Sequence, residues 1–199
     1  MTHILVTHTH TDHSPAAKWL KAHTGAKTYA YGPHGSGKAE EGVKVEEGGD
    51  MEFAPDIAVR DGDIIEGNGW TVECVFTPGH TSNHMCFALK EEKALFTGDH
   101  VMGWSTTVVT PPDGDMRAYM ASLEKLLSRD DAVLYPTHGA PVTDPKPFVQ
   151  AYIDHRLERE PRREPRLHRL QQPADAALAR AVGHARVLVG RRQAHHGRG

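Results

Sequence analysis

Residues 7–13 read Thr7, His8, Thr9, His10, Thr11, Asp12 and His13. His8 and His10 stand two apart behind the apolar run Ile4, Leu5 and Val6, which reads as a strand. On an extended backbone, side chains two apart share a face, so both imidazoles can converge on one metal ion. Asp12 and His13 break that alternation where the chain turns, which lets them face a second, neighbouring position. A carboxylate beside three histidines is a ligand set for a divalent ion. Zinc is the first choice, and iron or manganese also suit imidazole and carboxylate donors.

Two ions need more donors than this segment offers, and three further residues supply them. His80 follows Thr77, Pro78 and Gly79; Asp99 follows Phe96, Thr97 and Gly98; His138 follows Pro136 and Thr137. A strand-like apolar run precedes each, at 72–76, 94–96 and 133–135. Ligands set where strands end and loops begin are held by a rigid sheet yet stay open to substrate. His3, His23, His34, His84, His100 and the histidines of the tail have no such support, and they read as surface or core residues.

The elements that must position these groups are short. Ser14 and Pro15 form a helix start, with Ser14 as N-cap, and the helix carries Ala16, Trp19 and Leu20 on one face up to a stop at Gly25. Residues 31–50, rich in Gly, Lys and Glu, read as an exposed loop. Their spacing is wrong for a phosphate-binding loop, and no Ser or Thr follows Lys38. Beyond Ile57 come short strands, with hairpin-type turns at Asp61–Gly62 and Asn68–Gly69 and another turn at Glu91–Glu92. Residues 115–127 read as an amphipathic helix with Asp115 as N-cap and Tyr119, Met120, Leu123, Leu126 and Leu127 on one side. Residues 147–157 suggest a last helix. This order of strands and helices, with sites at strand ends, is that of an α/β protein.

The chain has 199 residues and a net charge of −3, which gives no global pull toward nucleic acid or membrane. No stretch is long and apolar enough to span a bilayer, and no secretory signal pattern opens the chain. Cys74 and Cys86 lie in strand-like segments without metal spacing, and read as small apolar residues in a reducing cytoplasm, with a disulfide as the alternative. Composition changes sharply along the chain: from Arg156 onward there are 11 Arg and no Lys, Phe, Tyr, Trp or Ile. Residues 161–199 therefore read as an Arg-rich tail, disordered or loosely helical, beyond a domain of residues 1–160. A basic arm for a phosphate backbone is one account of that tail. A shifted reading frame is the favoured one.

The segments that hold the seven candidate ligands resemble the metallo-beta-lactamase superfamily. The stretches beginning at Ala30, Thr77, Thr97 and Pro112 resemble most its beta-lactamase-like protein 2 group of hydrolases. The resemblance implies a four-layer αββα sandwich, with its first strands missing ahead of a motif that starts at residue 8, and hence an exposed sheet edge and an uncovered apolar face. It implies two Zn2+, one held by His8, His10 and His80, the other by Asp12, His13 and His138, with Asp99 and a hydroxide bridging them. Asp99 and Asp12 are then the catalytic carboxylates, Asp12 orienting the attacking hydroxide. Ser105, Thr106 and Thr107 are candidates to line the pocket.

The activity so implied is that of a cytoplasmic metal-dependent hydrolase. Its substrate would be an ester-type bond: a phosphodiester of single-stranded RNA, as in endoribonuclease-like members, or a small-molecule thioester, as in glyoxalase II-like members. The competing expectation is a catalytically inactive, truncated metal-binding remnant. Oligomeric state leaves no mark on the sequence.

Overall fold

The structure is a computed structural model that describes residues 1–38 and 48–159. The Arg-rich tail at 161–199 and most of the Gly-, Lys- and Glu-rich stretch lie outside the described residues. Those described fall almost wholly in one unit, Met1–Arg156; of the second, Leu157–Gly199, only the start is described.

Eight strands and three helices follow one another as β1 (His3–Leu5), α1 (Pro15–Thr24), β2 (Lys27–Ala30), β3 (Ile57–Ala58), β4 (Ile64–Gly67), β5 (Trp70–Phe76), β6 (Met85–Leu89), β7 (Ala94–Gly98), α2 (Met116–Leu127), β8 (Val133–Pro136) and α3 (Pro145–Arg159). Two sheets form. The first runs β1-β2-β3, all parallel. The second runs β4-β5-β6-β7-β8, antiparallel except for the final β7–β8 pair.

Three apolar clusters hold four layers together. Ala17 and Leu20 of α1 meet Ile4, Val6, Ala30 and Phe53 over the first sheet. Leu5, Tyr29 and Ile57 of that sheet meet Val72, Cys74, Met85 and Phe87 of the second. On the far face of the second sheet, Val75, Cys86, Ala88, Leu95 and Leu134 pack under Tyr119, Leu123 and Leu126 of α2 and Val149, Tyr152 and Ile153 of α3. Each fully buried side chain of this size contributes roughly 1.5–3 kcal/mol. The layering is the αββα order expected. The inter-sheet face is covered unevenly: Phe87 is buried, whereas Phe96 and Tyr135, next in the same register row, stack on each other half-exposed.

Several local expectations change. Trp19 is exposed beside His23, and Ala17 is the buried residue of α1. Ser14 does not cap its helix, because its hydroxyl donates to Asp50 Oδ2 at 2.7 Å instead. Asn68–Gly69 does close a hairpin, but Asp61–Gly62 lies between β3 and β4, which belong to different sheets. Asp115 caps α2 as read, accepting from Ala118 N–H at 2.7 Å. Cys74 and Cys86 are buried free thiols on adjacent strands, and burial pushes both up to about 12. No helix among the described residues is long and apolar enough to cross a membrane.

Candidate metal centre

The chain leaves β1 along an extended path: Val6 N–H donates to the Tyr29 carbonyl, and the Thr7 carbonyl accepts from Met85 N–H at 2.8 Å. The chain is therefore tied to the first sheet at Val6 and to the second at Thr7, and the histidines begin where those ties end. At His10 the chain turns, its carbonyl accepting from the N–H groups of both His13 and Ser14. His80 sits in the loop after β5, Asp99 immediately after β7 and His138 two residues beyond β8. All seven side chains lie at one end of the sheets.

Their donor atoms gather into three overlapping groups, each within 4.8 Å: His8, His10 and His80; His8, His13 and Asp99; Asp12, His13 and His138. In the first, His10 Nδ1 lies 3.1 Å from both His8 Nε2 and His80 Nε2. In the last, His138 Nε2 is 3.3 Å from Asp12 Oδ2, and His13 Nε2 is 3.5 Å from Asp12 Oδ1. Asp99 Oδ2 lies between the groups, 3.4 Å from His13, 3.6 Å from His138 and 3.9 Å from His80. No other side chain reaches histidines of both groups through one oxygen among these contacts.

These residues fit a divalent ion. Bonds of 2.0–2.1 Å in a tetrahedron put ligand atoms about 3.3 Å apart, close to the nitrogen spacing of the first group. His80 Nδ1 lies 2.7 Å from the Val108 carbonyl, which can only accept, so the ring proton sits on Nδ1 and the Nε2 lone pair faces the group. Asp99 Oδ1 is buried without a hydrogen bond, as expected of an atom whose partner is an ion. Burial, then the neighbouring His84, His13, His80 and His10 rings, hold His8 well below the usual histidine range, leaving the neutral, ligating form. Burial alone would raise Asp99, but the hydrogen-bonding and charge effects of His13, with His80 and His138, bring its carboxyl below the usual range.

The two positions differ in shelter. His8 and His80 are buried, whereas the Asp12 side chain is 60% exposed and that of His138 is 35% exposed.

Sequence reasoning missed the layer behind the ligands. His84 is wholly buried: its Nε2 accepts the Asp99 N–H at 3.3 Å, so its Nδ1 carries the proton and donates to Thr77 Oγ1 at 2.9 Å. Gly98 makes room for this, at φ +52°, where a Cβ would come 2.8 Å from His84 Nε2 and 2.9 Å from Thr7. Asn83 donates to Thr9 Oγ1, between the first two histidines, and to the Pro33 carbonyl. Buried Asp113 accepts from the hydroxyl and N–H of Ser82. His34 also turns inward, its Nδ1 2.8 Å from Thr9 Oγ1, so part of the stretch read as an exposed loop is core. Thr107 does not line a pocket: it is buried and donates to the carbonyls of Asp99 and His100. His34 and His84 are core residues, one of the two readings open to them from sequence, but nothing in the types of Ser82, Asn83, Gly98 or Asp113 marked them as a supporting layer.

The sequence profile of the metallo-beta-lactamase superfamily matches residues 1–138. An atrochrysone carboxyl ACP thioesterase of Aspergillus fumigatus is 46% identical over 103 residues, covering 52% of this chain and 31% of that protein. The lactamase-like protein adaB of Aspergillus niger is 35% identical over 162 residues, covering 80% of this chain and 44% of that protein. The chain thus spans less than half the length of these two relatives. Among solved structures, a metallo-beta-lactamase family protein of Thermus thermophilus superposes with a TM-score of 0.65 at 22% identity, covering 79% of this chain and 61% of that one. That likeness concerns the fold.

Proposed function

Since the chain belongs to the metallo-beta-lactamase superfamily, we propose that it carries the centre of a dinuclear metal-dependent hydrolase acting on thioesters. The observation that carries the reading is the shared position of Asp99 Oδ2 between two histidine groups. His8, His10 and His80 would hold one ion, Asp12, His13 and His138 the other, and Asp99 both. When bound, such ions lower the pKa of a coordinated water and polarise a substrate carbonyl.

The chain's own residues do the rest. His80 is oriented by the Val108 carbonyl and Asp99 by His84, so neither must reorganise when substrate arrives. Asp12, exposed at the open side, is in place to orient the attacking oxygen. Hydrolysis forms a C–O bond at the acyl carbon and breaks the C–S bond; the products are a carboxylate and a thiol. Zinc is the proposed metal, with iron or manganese as the alternatives the donor set admits.

The thioester is chosen over RNA because a relative is named a thioesterase, and because residues before Arg156 are acidic in balance, which opposes a phosphate backbone. Kinship with the beta-lactamase-like protein 2 group, a hydrolase domain of residues 1–160 and a cytoplasmic setting, which the buried free thiols favour, belong to the same proposal.

The test measures metal content by mass spectrometry, then hydrolysis of S-lactoylglutathione and acyl-pantetheine thioesters against cleavage of a fluorescent single-stranded RNA. About two equivalents of metal and thioester turnover, both lost in Asp99→Ala, are expected. RNA cleavage alone would replace the substrate. Metal binding without turnover of any of them would leave the inactive remnant. Full activity in Asp99→Ala would remove the site.

A further inference from the structure

The loop after Asp99 joins a fixed backbone to outward side chains. Thr107 Oγ1 donates to the Asp99 carbonyl at 2.7 Å, and the Tyr119 hydroxyl donates to the His100 carbonyl at 2.9 Å. The Tyr152 hydroxyl accepts from Met102 N–H and donates to a nearby carbonyl, and Arg156 donates to the Thr107 carbonyl. Gly103 N–H donates to the His138 carbonyl at 2.8 Å, in contact so close that a Cβ there would meet the Ala140 carbonyl at 2.4 Å. The Val108 carbonyl accepts a hydrogen bond from the His80 ring at 2.7 Å. Helices α2 and α3 and two of the ligand loops thus hold this backbone from several sides.

Between those ties two apolar side chains stand in water: Trp104 is 77% exposed and Val108 is 64% exposed. Leaving an indole unburied forgoes roughly 1.5–3 kcal/mol, and a free loop could fold it back. This backbone is not free to do so. Single exposed hydrophobics are ordinary on a protein surface. These two differ in position, since Trp104 follows the residue bound to the His138 loop and Val108 is bound to His80 itself. The backbone that carries each of these apolar groups is therefore tied to the loop or ring of a candidate ligand.

We propose that Trp104 and Val108 seat the hydrocarbon part of the substrate's acyl group, making this centre selective for thioesters of long or aromatic acyl chains over acetyl. The proposal rests on the thioesterase reading and adds the acyl class. An aromatic at a site mouth can also stack on a nucleic-acid base, but residues 99–110 carry no Lys or Arg of their own, and the Arg156 guanidinium that reaches this loop is already bonded to the Thr107 carbonyl. An apolar pocket discriminates by about tenfold or more for each well-buried methylene group.

The experiment compares kcat/KM for acetyl-, decanoyl- and benzoyl-pantetheine in the full metal-loaded chain and in Trp104→Ala, Trp104→Phe and Val108→Ser. The ratio of decanoyl or benzoyl over acetyl should fall about tenfold in Trp104→Ala and survive largely in Trp104→Phe. Metal content and thermal midpoint should hold, which separates lost recognition from lost structure. Equal ratios in wild type and variants would overturn the proposal. No thioester turnover in any form would instead sink the thioesterase reading. The rim is then judged by decanoate binding, in a Trp19→Phe/Trp70→Phe chain whose single indole is Trp104. A blue shift of its emission supports the rim; no shift, or quenching by single-stranded RNA alone, overturns it.

Discussion

Replacing His84 by Phe keeps a ring of similar size in a fully buried site and removes both of its hydrogen bonds. The Asp99 N–H then faces an apolar ring with no water in reach, which costs about 1–3 kcal/mol, and the lost bond to Thr77 adds about 1 kcal/mol. The Thr77 hydroxyl keeps its contact with Cys86 Sγ at 3.2 Å, so the second loss is partly offset. The sum is about 2–4 kcal/mol. For a chain of this length, that lowers the thermal midpoint by about 4–16 °C. Burial, followed by the nearby His100, His80, His13 and His10, holds His84 well below the usual histidine range, which favours the neutral ring that accepts from the Asp99 N–H. Thr77→Val removes only the outer bond and should cost about 1 kcal/mol. Denaturant unfolding of the three chains, alongside metal analysis, reads the result. His84→Phe within about 0.5 kcal/mol of wild type, with metal content intact, would refute the claim that this ring holds the Asp99 backbone.

Two further outcomes follow from exposure and charge. The second metal position, with Asp12 and His138 open to solvent, should yield its ion to a chelator before the first; stepwise dialysis with metal analysis should show one equivalent lost early, and Asp12→Asn should retain about one equivalent rather than none. Asp56 is held down to about 2 by its hydrogen bond from Lys21, then by those from Thr28. A folded-state value below the ordinary one stabilises fully above the ordinary carboxylate range and is lost as pH falls through about 2. Urea midpoints measured between neutrality and acid should therefore fall over the pH 4 to 2 window in wild type and fall less in Asp56→Asn.

The gathering of the seven candidate residues was legible because their geometry is local. His8 and His10 share a strand face, and His80, Asp99 and His138 each stand just past an apolar run, so spacing alone places them at one end of a sheet. The α2 cap at Asp115 and the Asn68–Gly69 hairpin were legible for the same reason, each being set by residues within a few positions. Asp61–Gly62 has the same local signal and joins two sheets, a choice made by distant burial of Val59 and Ile65 between them. Trp19 illustrates the same limit. Helical spacing fixes which residues share a face, but the first sheet meets that face at Ala17 and Leu20.

The supporting layer was hidden because its partners are far apart in sequence. Asn83 bonds Thr9 across 74 positions, Ser82 bonds Asp113 across 31, and His84 bonds Asp99 across 15. No periodicity encodes such pairs; they exist only once both sheets have formed. That order also explains why the layer matters. Imidazole nitrogens about 3 Å apart repel when their lone pairs converge, so the fold must hold the rings there. His80 is held through Val108, Thr9 through Asn83 and Asp99 through His84, and each tie ends on backbone or on a buried neutral group. The crowding of these side chains is thus held in place by ordinary hydrogen bonds in the sandwich. The side chains of Asp12 and His138, by contrast, border solvent on the open side of the cluster.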